Sequence, residues 1–296
     1  MTGSRVAALR PIGVNLTSMG VTTAWWVDSA RQLEAAGFSA VWCWDHFLSR
    51  GRKSTPVLEC WTTLALAAAQ THRLRVGSFV SNVMNRHPSL LARMTATLQQ
   101  ASGGRVEVGI GIGGNAREVE ALGIPFPETS ERVQRLEEAV QLLRLLWTGG
   151  PVSFEGRHYQ LRDAYAHPAP SPSPRIVVGG ESPGGARLAA RVGDAWTTTE
   201  KAFAACLGIY EEALGLAGRE RSAAPVLLAV GLERELELDR QPLLNDLAAE
   251  ASRWAEQGAD EIIIEYVRPA AVPGLIAAAE RAGLAESQAA RGPAPR

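Results

Sequence analysis

With 296 residues, 30 basic against 31 acidic side chains and a net charge of −1, the chain lacks the charge excess that grips nucleic acid or an anionic membrane. No apolar run reaches bilayer-spanning length, and Cys43, Cys60 and Cys206 are scattered through apolar segments, which fits neither a disulfide framework nor a zinc site. The expectation is a soluble, unprocessed, cytoplasmic protein, because Pro11 and Gly13 interrupt any signal-peptide core behind Arg5 and Arg10.

A chain of this length buries about three quarters of its unfolded surface. From Pro11 onward it alternates short apolar runs with amphipathic ones, eight of each. The first strand is predicted over 12–16; Thr22 or Thr23 can cap the helix that runs to Ala36, and Gly37 ends it. Strand two covers 40–44, and a loop with Gly51 and Pro56 leads to a helix over 58–70. Strand three spans 74–81, Pro88 suits the first turn of the next helix, and Gly103 with Gly104 stops it. Strand four, 106–110, runs into glycines and helical sequence around Glu118, then a long helix from Ser130, its expected N-cap, to Trp147.

Between Gly149 and Pro174 the rhythm breaks into a short hairpin over 152–159 and a proline-rich connector over 168–174. Alternation then resumes, with strands at 175–178, 195–198, 226–230 and 261–265 and helices at 184–192, 203–215, 243–257 and 272–282. Near-continuous apolar strands between helices imply a covered parallel sheet. Eight repeats point to closure as a (β/α)8 TIM barrel with a short insertion before strand five. One barrel domain is expected over 1–284, and 285–296 reads as a disordered tail.

In such a barrel the active site lies just beyond the C-terminal ends of the strands. Those positions hold Asn15, Asp45 with His46, Asn82, Gly113 to Asn115, Gly179 with Gly180, Thr197 to Thr199, Glu233, and Glu265 with Tyr266. Small and neutral groups dominate, which suits a large, planar, partly apolar ligand. Trp42, Trp44, Phe47 and Phe79 either wall that mouth or pack the core.

His46 follows an apolar run at a strand tip beside Asp45. It reads either as a proton donor or acceptor at a reacting atom or as a satisfied histidine closing the barrel; the strand-end position favours the first. His72, His87, His158 and His167 lack that setting. A Schiff-base enzyme would need a lysine on a strand, and the two lysines, Lys53 and Lys201, lie elsewhere. A metal-dependent hydrolase would need more than Asp45, His46 and distant Glu265, so no metal is expected.

Gly109-Ile110-Gly111-Ile112-Gly113-Gly114 matches the dinucleotide fingerprint after a strand, but no second strand with a terminal acid follows about twenty residues on. The preferred reading is that these glycines let a ligand's flat face approach the backbone. Gly179-Gly180-Glu181-Ser182-Pro183-Gly184-Gly185, between strand five and a helix, is either a phosphate cradle or an ordinary tight turn.

Taken together, the chain resembles the bacterial luciferase-like monooxygenases, in particular the branch that uses the deazaflavin coenzyme F420. The resemblance runs from Ile12 to about Ala282. It is carried by Glu34-Ala35-Ala36-Gly37-Phe38, Trp42 and Asp45-His46; by Arg86-His87-Pro88; by Ser102-Gly103-Gly104-Arg105 with Gly109-Ile110-Gly111; by Arg132 with Leu136-Glu137-Glu138; by Phe154-Glu155-Gly156 with Tyr159; and by the stretch from Pro174 to Gly180 with Asp194-Ala195-Trp196.

The resemblance implies a hydride transfer between F420 and a small organic substrate, with FMN as the alternative cofactor of a monooxygenase, and beside both a non-catalytic ligand-binding barrel. It implies His46 as the catalytic group facing the reactive edge of the ring, with Asp45 orienting it or contacting the ring. Phe79-Val80 matches a bulge that often holds a non-prolyl cis peptide behind the ring. Asn82, Gly113 and Asn115 fall among the cofactor-binding positions, and Gly179 with Gly180 matches the phosphate-receiving backbone. A homodimer is expected, with a flavin reductase as partner if FMN is used.

Three departures stand out. Phe79 replaces a small residue, and Gly114 stands where the sugar-phosphate dehydrogenases of the family carry a catalytic glutamate. The insertion is short, which leaves any lid to the loops after strands two and four.

Overall fold

The computed structural model describes residues 9–49, 54–232 and 236–291. Nine parallel segments form one closed sheet. They are β1 (Ile12–Leu16), β2 (Ala40–Cys43), β3 (Arg75–Ser78) with its short continuation β4 (Ser81–Asn82), β5 (Val106–Gly111), β8 (Arg175–Gly179), β9 (Ala195–Thr199), β10 (Val226–Gly231) and β11 (Glu261–Val267). Neighbours run β3-β2-β1-β11-β10-β9-β8-β5, and pairing of Val76 with Val106 between β3 and β5 closes the ring. Counting β3 and β4 as one interrupted strand gives the expected eight. Between β5 and β8 lies the antiparallel hairpin β6 (Val152–Glu155) and β7 (Gln160–Ala164), the insertion read from the sequence.

Helices cover the outside: α1 (Thr23–Ala35), α2 (Cys60–Gln70), α3 (Pro88–Ser102), α4 (Ala116–Glu120), α5 (Thr129–Leu146), α6 (Pro183–Val192), α7 (Glu200–Leu216), α8 (Pro242–Asn245), α9 (Leu247–Glu256), α10 (Val272–Arg281) and α11 (Leu284–Arg291). Their ends obey local chemistry. Thr22 caps α1 through Trp25 N–H, Pro88 opens α3, and Gly103 closes it in the left-handed conformation at φ 70°. No helix of the described residues is long and apolar enough to cross a membrane.

Three local expectations change. The long helix expected from Ser130 starts at Thr129 behind Glu128, with no side-chain cap from either. The single helix expected over 243–257 is two, because Asp246 leaves helical geometry and its carboxylate caps α9 through Ala249 N–H at 3.0 Å. The stretch from Ala285, expected as a tail, is helical up to Arg291; buried Leu284 anchors it, and Gly37, lacking a side chain, leaves room for the backbone of Ala285.

The barrel interior is filled in layers. At its N-terminal end Arg75 pairs with Glu107 and, at 2.7 Å, with Glu261, while Arg175 reaches Glu107 at 2.6 Å. Above this ionic plug sit Ala40, Trp42, Val177, Ala195, Leu227 and Ile263. Trp42 lies across two strands that glycine keeps flat: a Cβ at Gly13 would come within 2.8 Å of its indole nitrogen, and one at Gly77 would overlap its ring. The interior is therefore closed below, and only its C-terminal mouth remains for a ligand.

Candidate active site

Beyond Cys43 the chain leaves β2, and successive side chains part company. Asp45 turns into the wall. Its carboxylate is sequestered from solvent and receives a two-pronged grip from Arg86, Nη1 to Oδ2 at 2.6 Å and Nη2 to Oδ1 at 2.9 Å, and the Asn85 amide donates to Oδ2 at 3.2 Å. Arg86 also pairs with Glu59, which caps α2 through Trp61 and Thr62 N–H. Burial opposes the charge on Arg86, but the hydrogen bond and charge of Asp45, with Glu59 behind, hold the guanidinium above its ordinary value. Asp45 is turned to Arg86 and Asn85, and the contact expected between it and His46 is made to His46 by another residue.

That residue is Glu118, on α4. Its Oε2 lies 2.7 Å from His46 Nδ1 and accepts from Asn115 Nδ2 at 3.0 Å, while Oε1 accepts from Leu48 N–H at 3.0 Å and from Phe47 N–H. The carboxylate side chain is 4% exposed and the imidazole 24%. Burial would raise the Glu118 carboxyl, but the hydrogen bond from His46 and those from the Leu48 and Phe47 amides outweigh it and bring it down to about 2. Sequence reasoning placed a helix around Glu118 without giving it a role. The available signal was Asn115-x-x-Glu118, a spacing that returns both side chains to one lip at the start of a helix.

Trp44 meets His46 edge-on at 5.5 Å between ring centres and stacks on Tyr266 at 4.6 Å and 12°. Tyr266 sits at φ 56°, uncommon for an aromatic residue, and its N–H donates to Asn15 Oδ1 at 3.2 Å. Arg268 lies 4.7 Å over the Tyr266 ring. A column of rings thus runs from the tip of β2 to the end of β11 across β1.

The opposite side of the mouth is built around the Phe79-Val80 peptide, which is cis. Phe79 packs edge-on against Trp42 at 5.8 Å. Val80 covers three glycines: a Cβ at Gly111 would meet its methyl at 2.9 Å, one at Gly179 at 3.0 Å and one at Gly109 at 3.1 Å. The Gly109–Gly114 run was read as room for a ligand's flat face. Gly109 and Gly111 instead make room for the protein's own Val80, and a Cβ at Gly109 would also overlap the Ser78 carbonyl.

Gly113, at φ 74°, turns the chain against the Asn82 amide, and Arg132 from α5 holds that turn by donating to the carbonyls of Ile112 and Gly113. Gly114 faces open space. Gly109→Ala is therefore expected to lower the melting temperature sharply and Gly114→Ala to leave it within a degree or two, as thermal unfolding followed by circular dichroism will show.

Of the second glycine run, Gly180 spends both backbone groups internally: its N–H donates to Thr197 O at 3.1 Å and its carbonyl accepts from Trp196 Nε1 at 2.9 Å. A Cβ there would come within 2.7 Å of the backbone of Gly185, so Gly180 is a packing glycine, and residues 181–184 leading into α6 are exposed. Thr197, one step above Ala195 on the inner face of β9, is buried with its hydroxyl unpartnered. Glu233 and Lys53 lie outside the described residues. Among the described residues no group of three or more His, Cys, Asp or Glu is placed to hold a metal.

The hydrogen-bonded carboxylate of Glu118 gives an expected pH dependence. Its folded value lies below the ordinary 4.5, so its stabilisation is complete above about 4.5 and is lost as pH falls toward about 2. The difference in urea-unfolding free energy between wild type and Glu118→Gln should shrink as pH falls through that window.

Comparison with known proteins places these features. Residues 6–233 match the family model described as luciferase-like monooxygenase. An F420-dependent glucose-6-phosphate dehydrogenase of Kineococcus radiotolerans is 34% identical over 212 residues, which cover 71% of this chain and 62% of that one. An F420-dependent hydroxymycolic acid dehydrogenase of Mycobacterium tuberculosis is 34% identical over 190 residues, 64% of this chain and 52% of that one. The matched region thus spans less than two thirds of these relatives. Among solved structures, an F420-dependent secondary alcohol dehydrogenase in complex with an F420–acetone adduct superposes with a TM-score of 0.81 over 94% of this chain and 99% of that one, at 21% identity. The F420-dependent tetrahydromethanopterin reductase of Methanopyrus kandleri does so with a TM-score of 0.74 over 93% and 98%, at 16% identity. These two likenesses are of fold.

Proposed function

We propose, since the chain belongs to the luciferase-like monooxygenase family, that it is an oxidoreductase exchanging a hydride between coenzyme F420 and the hydroxyl-bearing carbon of a small alcohol, or the corresponding carbonyl. The observation that carries this reading is the His46 imidazole: part exposed at the lip of a barrel that is closed below, and anchored by a buried carboxylate. Relatives named as F420-dependent dehydrogenases support the cofactor and the reaction type.

The residues present fit a deazaflavin. Phe79 and the bulge at Val80 offer an apolar support for a flat ring, the buried unpartnered hydroxyl of Thr197 suits a polar edge, and at the start of α6, where Pro183 has no N–H and Ser182 Oγ takes that of Gly185, the Gly184 N–H is the donor left to a phosphate. When bound, the deazaflavin supplies a carbon that takes up or gives back a hydride. The protein's part is to hold the reactants and move the proton. Trp44 and Tyr266 fix one wall, His46 gives or takes the proton at the substrate oxygen, and Asp45 with Arg86 stiffens the loop that carries His46.

Glucose 6-phosphate is not the substrate in this reading. Gly114 offers open space and no carboxylate where the sugar-phosphate enzymes are expected to carry their glutamate. The expected outcome is that glucose 6-phosphate fails to reduce F420 in the presence of this protein. Titration of the purified chain with F420 and with FMN, followed by fluorescence, tests the cofactor. Tighter binding of F420 is expected, and tighter binding of FMN would replace the reading with that of a flavin monooxygenase.

A further inference from the structure

Four donors meet the Glu118 carboxylate, and the way they are shared between its two oxygens settles where a proton sits on His46. Oε1 faces the N–H groups of Phe47 and Leu48; Oε2 faces His46 Nδ1 and the Asn115 amide. A backbone N–H only donates. The carboxylate stays ionised at neutral pH and only accepts. For Nδ1 to lie 2.7 Å from such an oxygen it must carry the hydrogen, and in a neutral imidazole the lone pair then belongs to Nε2. Trp44 meets the same ring edge-on at 5.5 Å between ring centres.

We propose that Glu118 is a positioning residue that locks His46 in the Nδ1–H tautomer, so that Nε2 is the nitrogen that receives a proton from a substrate hydroxyl. This rests on the oxidoreductase reading above and deepens it. In the step concerned, the substrate O–H bond breaks and its proton goes to Nε2. Its electron pair stays with oxygen and becomes the carbonyl π bond as the carbon loses its hydride to the deazaflavin. The alcohol is oxidised, the deazaflavin is reduced, and the resulting imidazolium keeps Nδ1–H against Glu118. A carboxylate so placed favours the imidazolium as it forms without touching the reacting atoms.

Replacement by the isosteric amide gives a sharp expectation. In Glu118→Gln the amide oxygen must still face Phe47 and Leu48, which turns the NH2 group toward Nδ1. Nδ1 then has to accept, and His46 is driven to the Nε2–H tautomer, with the Asn115 amide reversed to offer its oxygen.

The test is long-range 15N–1H NMR of the imidazole nitrogens in cofactor-free, 15N-histidine-labelled protein at a pH where the ring is neutral, with the His46 signals identified by their loss in His46→Ala. Wild type should show a protonated Nδ1 and a bare Nε2, and Glu118→Gln the reverse. A wild-type spectrum with Nε2–H, or one averaged between tautomers, would overturn the proposal even if the variant did not fold. The kinetic arm uses secondary alcohols with F420: kcat in Glu118→Gln should fall at least about tenfold with KM little changed. An inverted tautomer with unchanged kcat would overturn the proton role. Because the NMR is done without cofactor, its outcome does not depend on whether F420 is the right coenzyme.

Discussion

Replacing His46 by alanine is expected to lower kcat for F420-linked alcohol oxidation by about 10²–10⁴-fold, the usual contribution of a positioned proton acceptor, while the dissociation constant for F420 changes by only a few fold. The reason is that no other described imidazole is set to take over. His87 caps α3, accepting from Ser89 N–H at 3.2 Å, and packs edge-on against Tyr159; His158 is held to α5, 3.1 Å from Gln134 and with its backbone N–H on Glu138. Removing the ring also leaves the Glu118 carboxylate three of its four donors, and two of them, the Phe47 and Leu48 amides, still tie the loop to it. The loss should therefore appear in turnover rather than in folding. A fall of less than about tenfold in kcat, measured by the rate of F420 reduction under saturating alcohol, would remove His46 from the chemistry.

The second large effect concerns stability. Arg86→Leu strips the buried Asp45 carboxylate of its two-pronged partner and leaves it, among the described residues, the Asn85 amide. Breaking a buried pair from one side costs about 3–5 kcal/mol, because the remaining charge stays desolvated. Urea unfolding should show that loss. The double variant Asp45→Asn/Arg86→Leu should be more stable than Arg86→Leu alone, since the charge left behind has gone with its partner. Because the same pair stiffens the loop ahead of His46, the single variant should also lose F420-linked turnover at temperatures where it remains folded.

Much of this architecture was legible in the sequence. Apolar runs such as Val226 to Val230, set between amphipathic stretches, carry the period of buried parallel strands, and eight of them leave closure as the natural solution. His46 was legible because an ionisable residue ends an apolar strand. Its partner was not, since Glu118 stands 72 residues away and reaches His46 only when β5 and β2 share one mouth. The resemblance offered Asp45 either as that partner or as a contact to the ring, and Arg86, present in a recognisable motif, gave no sign of which carboxylate it would hold.

The glycines were misread for a related reason. A glycine reports that something comes close, without saying what. At Gly111 and Gly179 the neighbour is Val80, carried there by the turn of the chain after Phe79, and at Gly109 it is the Ser78 carbonyl with Val80 beside it. At Gly180 it is Gly185, one turn into the next helix. Helix limits failed where a short polar side chain competes with the backbone, as Asp246 does between α8 and α9.

The most direct test of hydride exchange with a deazaflavin is anaerobic incubation of the protein with oxidised F420 and secondary alcohols deuterated at the carbinol carbon, with the reduced coenzyme analysed by mass spectrometry. Deuterium carried onto the coenzyme is the expected result. Reduced coenzyme without deuterium, or no reduction with any alcohol while reduced FMN and oxygen are consumed, would contradict it.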